Sequence, residues 1–144
     1  MAEVRYYFQS RASKRSETVA REERWRQERL AACSAFAGAV MDFRGAQYER
    51  VLGSLSGISG TDRSAGIAES SRLRSIAWSS FYRFKLTSPG EGLCRLAEQV
   101  VEETADLSDA EDETDLKKRS ERARRRLQEF SSAAASNLAG TATP

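Results

Sequence analysis

No proline interrupts this chain before Pro89, and the only other one is the last residue, Pro144. Proline lacks a backbone donor and clashes with the preceding helical turn, so its absence leaves long stretches free to be helical. Within them, side chains recur at spacings of four and three. Trp25, Arg29, Cys33, Phe36, Val40 and Phe43 form one such row, and Tyr48, Val51, Leu52 and Leu55 continue it after a shift. That period lays an apolar stripe along one side of a helix. Arg21, Glu22, Arg24, Arg26, Gln27 and Glu28 salt the other side. A first helix is therefore predicted from about Glu17 to Leu55. Gly38 and Gly45 weaken it by about 1 kcal/mol each and mark either close packing or a bend.

The run from Gly53 to Gly60 ends that helix, and residues 56–66 are predicted as the main loop. A second helix is expected from about Ile67 to Leu86, with Leu73, Ile76, Ala77, Phe81 and Phe84 as its apolar side and Trp78 flanking. Ser88-Pro89-Gly90-Glu91 has the capping-box spacing: a capping serine, proline at the first helical position, and glutamate three residues after the cap. It opens a third helix carrying Leu93, Ala97, Val100, Thr104 and Leu107. Ser108 and Glu111 repeat the spacing and are predicted to open a fourth, with Leu116, Ser120, Ala123, Leu127, Phe130, Ala134 and Leu138 on one side. The fold class is all-α, an antiparallel four-helix bundle with a long first helix. The N-terminal half of that helix is expected to project or to pair with a second chain as a coiled coil. Residues 1–20 read as a polar and aromatic arm that clasps the protein's own helices through Tyr6, Tyr7 and Phe8. Residues 21–139 form the bundle, and residues 140–144 are a disordered tail.

With 144 residues the chain suffices for one domain. Charged residues at 31% and hydrophobic residues at 40% suit slender amphipathic helices better than a thick α/β core. The longest apolar run, Ala31 to Met41, is closed by Asp42 and Arg44 and is about half the length needed to cross a bilayer. The first twenty residues hold no apolar segment of signal-peptide length. A cytoplasmic protein without a membrane span is expected. The basic, aromatic N-terminus has the composition to touch a membrane surface, but the clasp is the preferred reading. For Cys33 and Cys94, buried thiols in a reducing compartment are preferred over a disulfide.

Histidine is absent, which removes Ser-His-Asp and Cys-His catalysis and most transition-metal sites. Glu98, Glu102, Glu103 and Asp106 crowd one helix, but a carboxylate-bridged metal in a bundle normally adds histidines. They read as a solvated acidic face. No catalytic, cofactor-binding or metal-binding residue is predicted, and the chain is not expected to be an enzyme.

One local feature remains. Glu98 to Asp115 carries nine acidic residues and no basic one, and the ten residues after Leu116 carry seven basic ones: Lys117, Lys118, Arg119, Arg122, Arg124, Arg125 and Arg126. On a helix these seven spread over nearly all the circumference left by the apolar stripe, without interleaved aromatics. A surface that tracks phosphates concentrates its charge. The seven therefore read as a solvated face with acidic neighbours, and anion or nucleic-acid contact is the alternative.

The segment Glu23-Arg24-Trp25-Arg26-Gln27-Glu28-Arg29-Leu30-Ala31-Ala32 leads into Phe36 and then Asp42-Phe43-Arg44. Tyr82-Arg83-Phe84-Lys85-Leu86-Thr87-Ser88-Pro89 precedes a helix that ends in acidic residues, and the last helix has an aromatic near its end. Across residues 20–138 this resembles a set of small helical proteins common in actinobacteria. Some are encoded on conjugative plasmids among accessory genes for plasmid transfer and spread between hyphal compartments. The resemblance implies a non-enzymatic interaction protein, an accessory factor in transfer or spread, and assigns no catalytic residue. Its expected partners are other proteins, or a second copy, met through the amphipathic helices.

Overall fold

The computed structural model describes residues 2–57 and 60–140. They form four helices and one 3₁₀ turn: α1 Ala2–Leu55, α2 Thr61–Lys85, α3 Glu91–Ala105, the 3₁₀ turn Asp106–Asp109, and α4 Glu113–Gly140. No strand occurs among the described residues. The helices pack as an antiparallel bundle in which α1 touches all three others and α3 closes against α4, α1 and α2. The bundle class and the long first helix are as the spacing predicts.

The core is built from the predicted stripes. Phe36, Val40 and Phe43 of α1 meet Ala77, Phe81 and Phe84 of α2, Ala97, Val100 and Val101 of α3, and Leu127, Phe130 and Ala134 of α4. Phe36 is the hub. Its ring stands edge-on to Phe130 with centroids 5.1 Å apart and stacks on Phe84 at 6.3 Å. Phe84 and Phe130 in turn meet edge-on at 5.3 Å. Offset and edge-on contacts of this kind add about 0.5–1.5 kcal/mol per pair beyond area burial. A second cluster at the other end of the bundle joins Val51, Leu107, Leu116 and Ala123.

Several local expectations are overturned. Residues 2–20 are not a separate clasping arm. They continue α1 without a break, and Tyr6, Tyr7 and Phe8 are exposed. Trp25, expected in the stripe, is also exposed, as are Ile76 of α2 and Leu55 at the end of α1. The second helix starts at Thr61 rather than Ile67, so the predicted loop shrinks; Ile58 and Ser59 lie outside the described residues. Gly38 and Gly45 do not mark close packing, because both face open space, and α1 runs through them without interruption. The predicted tail falls almost wholly outside the described residues: Gly140 ends α4, and residues 141–144 are not described.

Neither predicted capping box forms. Ser88 adopts a left-handed backbone (φ 53°) and α3 starts later, with Gly90 as its N-cap at φ 104° and ψ 154°. Only glycine tolerates that conformation without strain. The turn is held from outside instead. Arg29 of α1 donates from Nη2 to the Thr87 and Ser88 carbonyls at 2.9 and 3.1 Å, and from Nη1 to Asn137 Oδ1 at 3.2 Å. One guanidinium thus ties α1 to the α2–α3 turn and to the end of α4. At the head of α4 the cap moves four residues on from Ser108. The Asp115 amide donates to Asp112 Oδ1 at 2.7 Å, and the Glu111 amide donates to Asp115 Oδ2 at 3.1 Å. Ser108 instead donates its hydroxyl to the Ala105 carbonyl inside the 3₁₀ turn.

Candidate interaction surfaces

The seven basic residues of α4 fall into two groups that the sequence does not distinguish. Lys117 pairs with Glu113 at 3.4 Å and Arg119 with Asp115 at 3.0 Å, each one turn back on the same helix. Arg124 pairs with Glu121 at 2.8 Å. Arg126 reaches across to Glu103 of α3 at 2.9 Å and also to Glu129 at 3.0 Å. Lys118, Arg122 and Arg125 are exposed and make no ion pair among the described residues. At about 100° per residue these three lie within roughly 60° of one another, opposite the buried side of the helix. The pairing filters an apparently all-round charge into one short outward stripe.

The acidic half of the charge reversal is absorbed by the fold. Asp112 and Asp115 satisfy backbone donors at the start of α4, where the helix dipole favours negative charge. The Glu111 amide, and then the Arg119 guanidinium, hold the Asp115 carboxyl below its usual range. The hydrogen bond from Arg124 does the same for Glu121. Glu103 faces Arg126, while Glu98, Glu102 and Asp106 are exposed. The described residues hold no group of three or more potential ligands placed to bind a metal ion.

Two polar devices inside the bundle were missed at the level of sequence. Gln47, buried in α1, donates to the Ala105 carbonyl at 2.9 Å and accepts from the Ser70 hydroxyl and from Arg50. It joins α1 to α2 and to the end of α3, and it sits on the predicted stripe between Phe43 and Val51. A polar residue on an apolar row was the available signal. Arg44 is the second. It is half-buried beside α4, with Nη1 buried and unbonded, and its pKa is lowered by desolvation and then by Arg124.

Cys33 and Cys94 are free and only partly buried, and burial raises the pKa of both thiols. The cleft between the end of α1 and the start of α2 holds about 230 Å³ and is lined by charged groups including Arg50, Asp62, Arg63 and Glu69. That volume is below the usual range of small-molecule sites, whereas a cleft at the α2–α3 turn, lined by Phe81, Lys85, Pro89, Cys94 and Glu98 among others, holds about 480 Å³ and lies within it. Of the described helices, none is long and apolar enough to cross a membrane.

The part of α1 before Arg29 stands apart from all this. Nearly every residue from Glu3 to Glu28 is exposed, and the first buried side chain is Ala32. Over residues 30–138 the chain matches one family, described as KilB plasmid transfer protein. That range covers the packed bundle and starts where the projecting part of α1 ends. No curated protein and no solved structure matches the chain.

Proposed function

Because this chain belongs to the KilB plasmid transfer protein family, we propose that it is a non-enzymatic accessory factor in conjugative plasmid transfer or spread, working by protein–protein contact in the cytoplasm. The observation that carries the reading is the family match across the whole packed bundle, residues 30–138. The surface supports a contact role, since it offers exposed helix faces and a projecting helix. Deleting the gene from its native replicon, with and without complementation in trans, tests the reading. Transfer or spread should fall and be restored by complementation, and unchanged spread would count decisively against it.

A second reading is favoured by the pairing on α4. Lys118, Arg122 and Arg125 form an outward stripe without an ion pair among the described residues, suited to phosphates, so the chain would also contact nucleic acid. Three such contacts predict a slope of log affinity against log salt of about −2 to −3. Changing all three to glutamine should abolish retardation of duplex DNA at low salt, whereas Arg124→Gln and Arg126→Gln should matter less. Wild-type protein that retards no DNA at low salt ends this reading.

A further inference from the structure

The row of side chains that α1 turns toward the core does not stop where the bundle stops. Traced backwards from Phe36 and Ala32, both buried, it runs through Arg29 to Trp25, Glu22, Thr18, Arg15, Arg11, Phe8 and Val4, always at spacings of four or three. Inside the bundle this face is covered by the other helices. Outside it, Val4 is 59%, Phe8 63% and Trp25 48% exposed. A helix of some two dozen residues, about 36 Å long, is marginal in water without such cover.

We propose that the uncovered seam is the contact face for the same segment of a second copy, running antiparallel. The charges select this occupant and this direction. From Val4 to Ser16 the helix carries Arg5, Arg11, Lys14 and Arg15 and no acid, whereas the following stretch to Glu28 mixes Glu17, Glu22, Glu23 and Glu28 with Arg21, Arg24 and Arg26. In an antiparallel coiled coil the seam positions meet in alternating pairs. Laying Phe8 on the partner copy's position 25 sets aromatic on aromatic at both ends. The same register sets Arg11 opposite position 22, Arg15 opposite position 18, and Arg5 opposite position 28. It therefore places an arginine–glutamate pair twice in the seam. A parallel pair would stack Arg11, Arg15 and Glu22 each on itself, three like-charge layers. Arg11, Arg15 and Glu22 make no ion pair within the chain among the described residues, while the neighbouring Glu23 is already held by Arg26 at 3.2 Å. Arg5, Lys14, Glu17, Arg21, Arg24 and Glu28, off the row, are likewise without an ion pair among the described residues, and Arg11 stands over the Tyr7 ring at 5.6 Å. A lipid surface fits less well: Tyr6 lies on the side of the helix opposite Val4 and Phe8, and an interfacial helix segregates its apolar side chains to one face.

The proposal rests on the reading of the chain as an interaction protein and names one partner, but its test is independent of any role in transfer. Sedimentation equilibrium of the full chain, with helicity checked by circular dichroism, is run on wild type, Arg11→Glu, Glu22→Arg and the double variant. The expected result is a wild-type dimer, weakened roughly tenfold or more by each single reversal and restored by the double one. A monomeric wild type at its highest soluble concentration overturns the proposal, as does a dimer that ignores the single reversals or is not rescued by the double. Monomer that co-sediments with phosphatidylglycerol vesicles would assign the seam to lipid and equally overturn it. Loss of the dimer with unchanged spread in cells would count against the functional reading and leave the geometry standing.

Discussion

At the scale of single residues, the aromatic hub and the polar clamps respond to different physics. Phe36 is fully buried among three other rings. Phe36→Ala removes that volume where little can collapse into it, so a loss of about 3–5 kcal/mol is expected in urea titration. Gln47→Leu fills similar space but strands the Ser70 hydroxyl and removes one of two side-chain donors to the Ala105 carbonyl, costing about 1–3 kcal/mol. Gly38 behaves oppositely. It is helical, with open space where a side chain would stand, so Gly38→Ala should stabilise by about 1 kcal/mol in the same titration. Phe36, Phe43 and Phe130 were legible in the sequence because burial follows helical period. The role of Gln47 was not, because its partners are 23 and 58 residues away and only packing brings them together.

Among the elements, α4 carries the clearest test. Asp112 caps it and Asp115 answers, so Asp112→Ala should cost about 1 kcal/mol. Removing the side chain of Glu111, whose predicted cap does not form, should be near neutral by thermal unfolding. The pH dependence follows from the depressed Asp115 carboxyl. A carboxylate whose folded pKa lies below its unfolded value stabilises fully above the unfolded value and loses that contribution as pH falls through the folded one. Acid unfolding of Asp115→Asn should therefore show a shallower loss of stability on the acid side than wild type, followed by circular dichroism from neutral pH downward. Capping spacings in the sequence misled here for a definable reason. The acid-rich run holds several residues able to cap, and the choice went to Asp112 because the 3₁₀ turn anchored by buried Leu107 holds Ser108 short of the helix start at Glu113.

For the whole molecule, the division is between a packed bundle and a projecting helix. Residues before Trp25 bury almost nothing against the rest of the chain, so removing residues 1–24 should change the stability of the bundle by no more than about 0.5 kcal/mol while lowering total helicity. A larger loss, measured in the monomer, would show that the extension supports the bundle. The absence of proline before Pro89 and the four-three rows determined by themselves that the chain is all-α, that its first helix is long, and which side of each helix is apolar. These are local properties of backbone and spacing, and every turn of a helix repeats them. Which basic residues remain unpaired, where the caps fall, and where the seam of α1 loses its cover were decided only by tertiary structure. Each depends on what another helix presents at that point, and one-dimensional spacing carries no record of it.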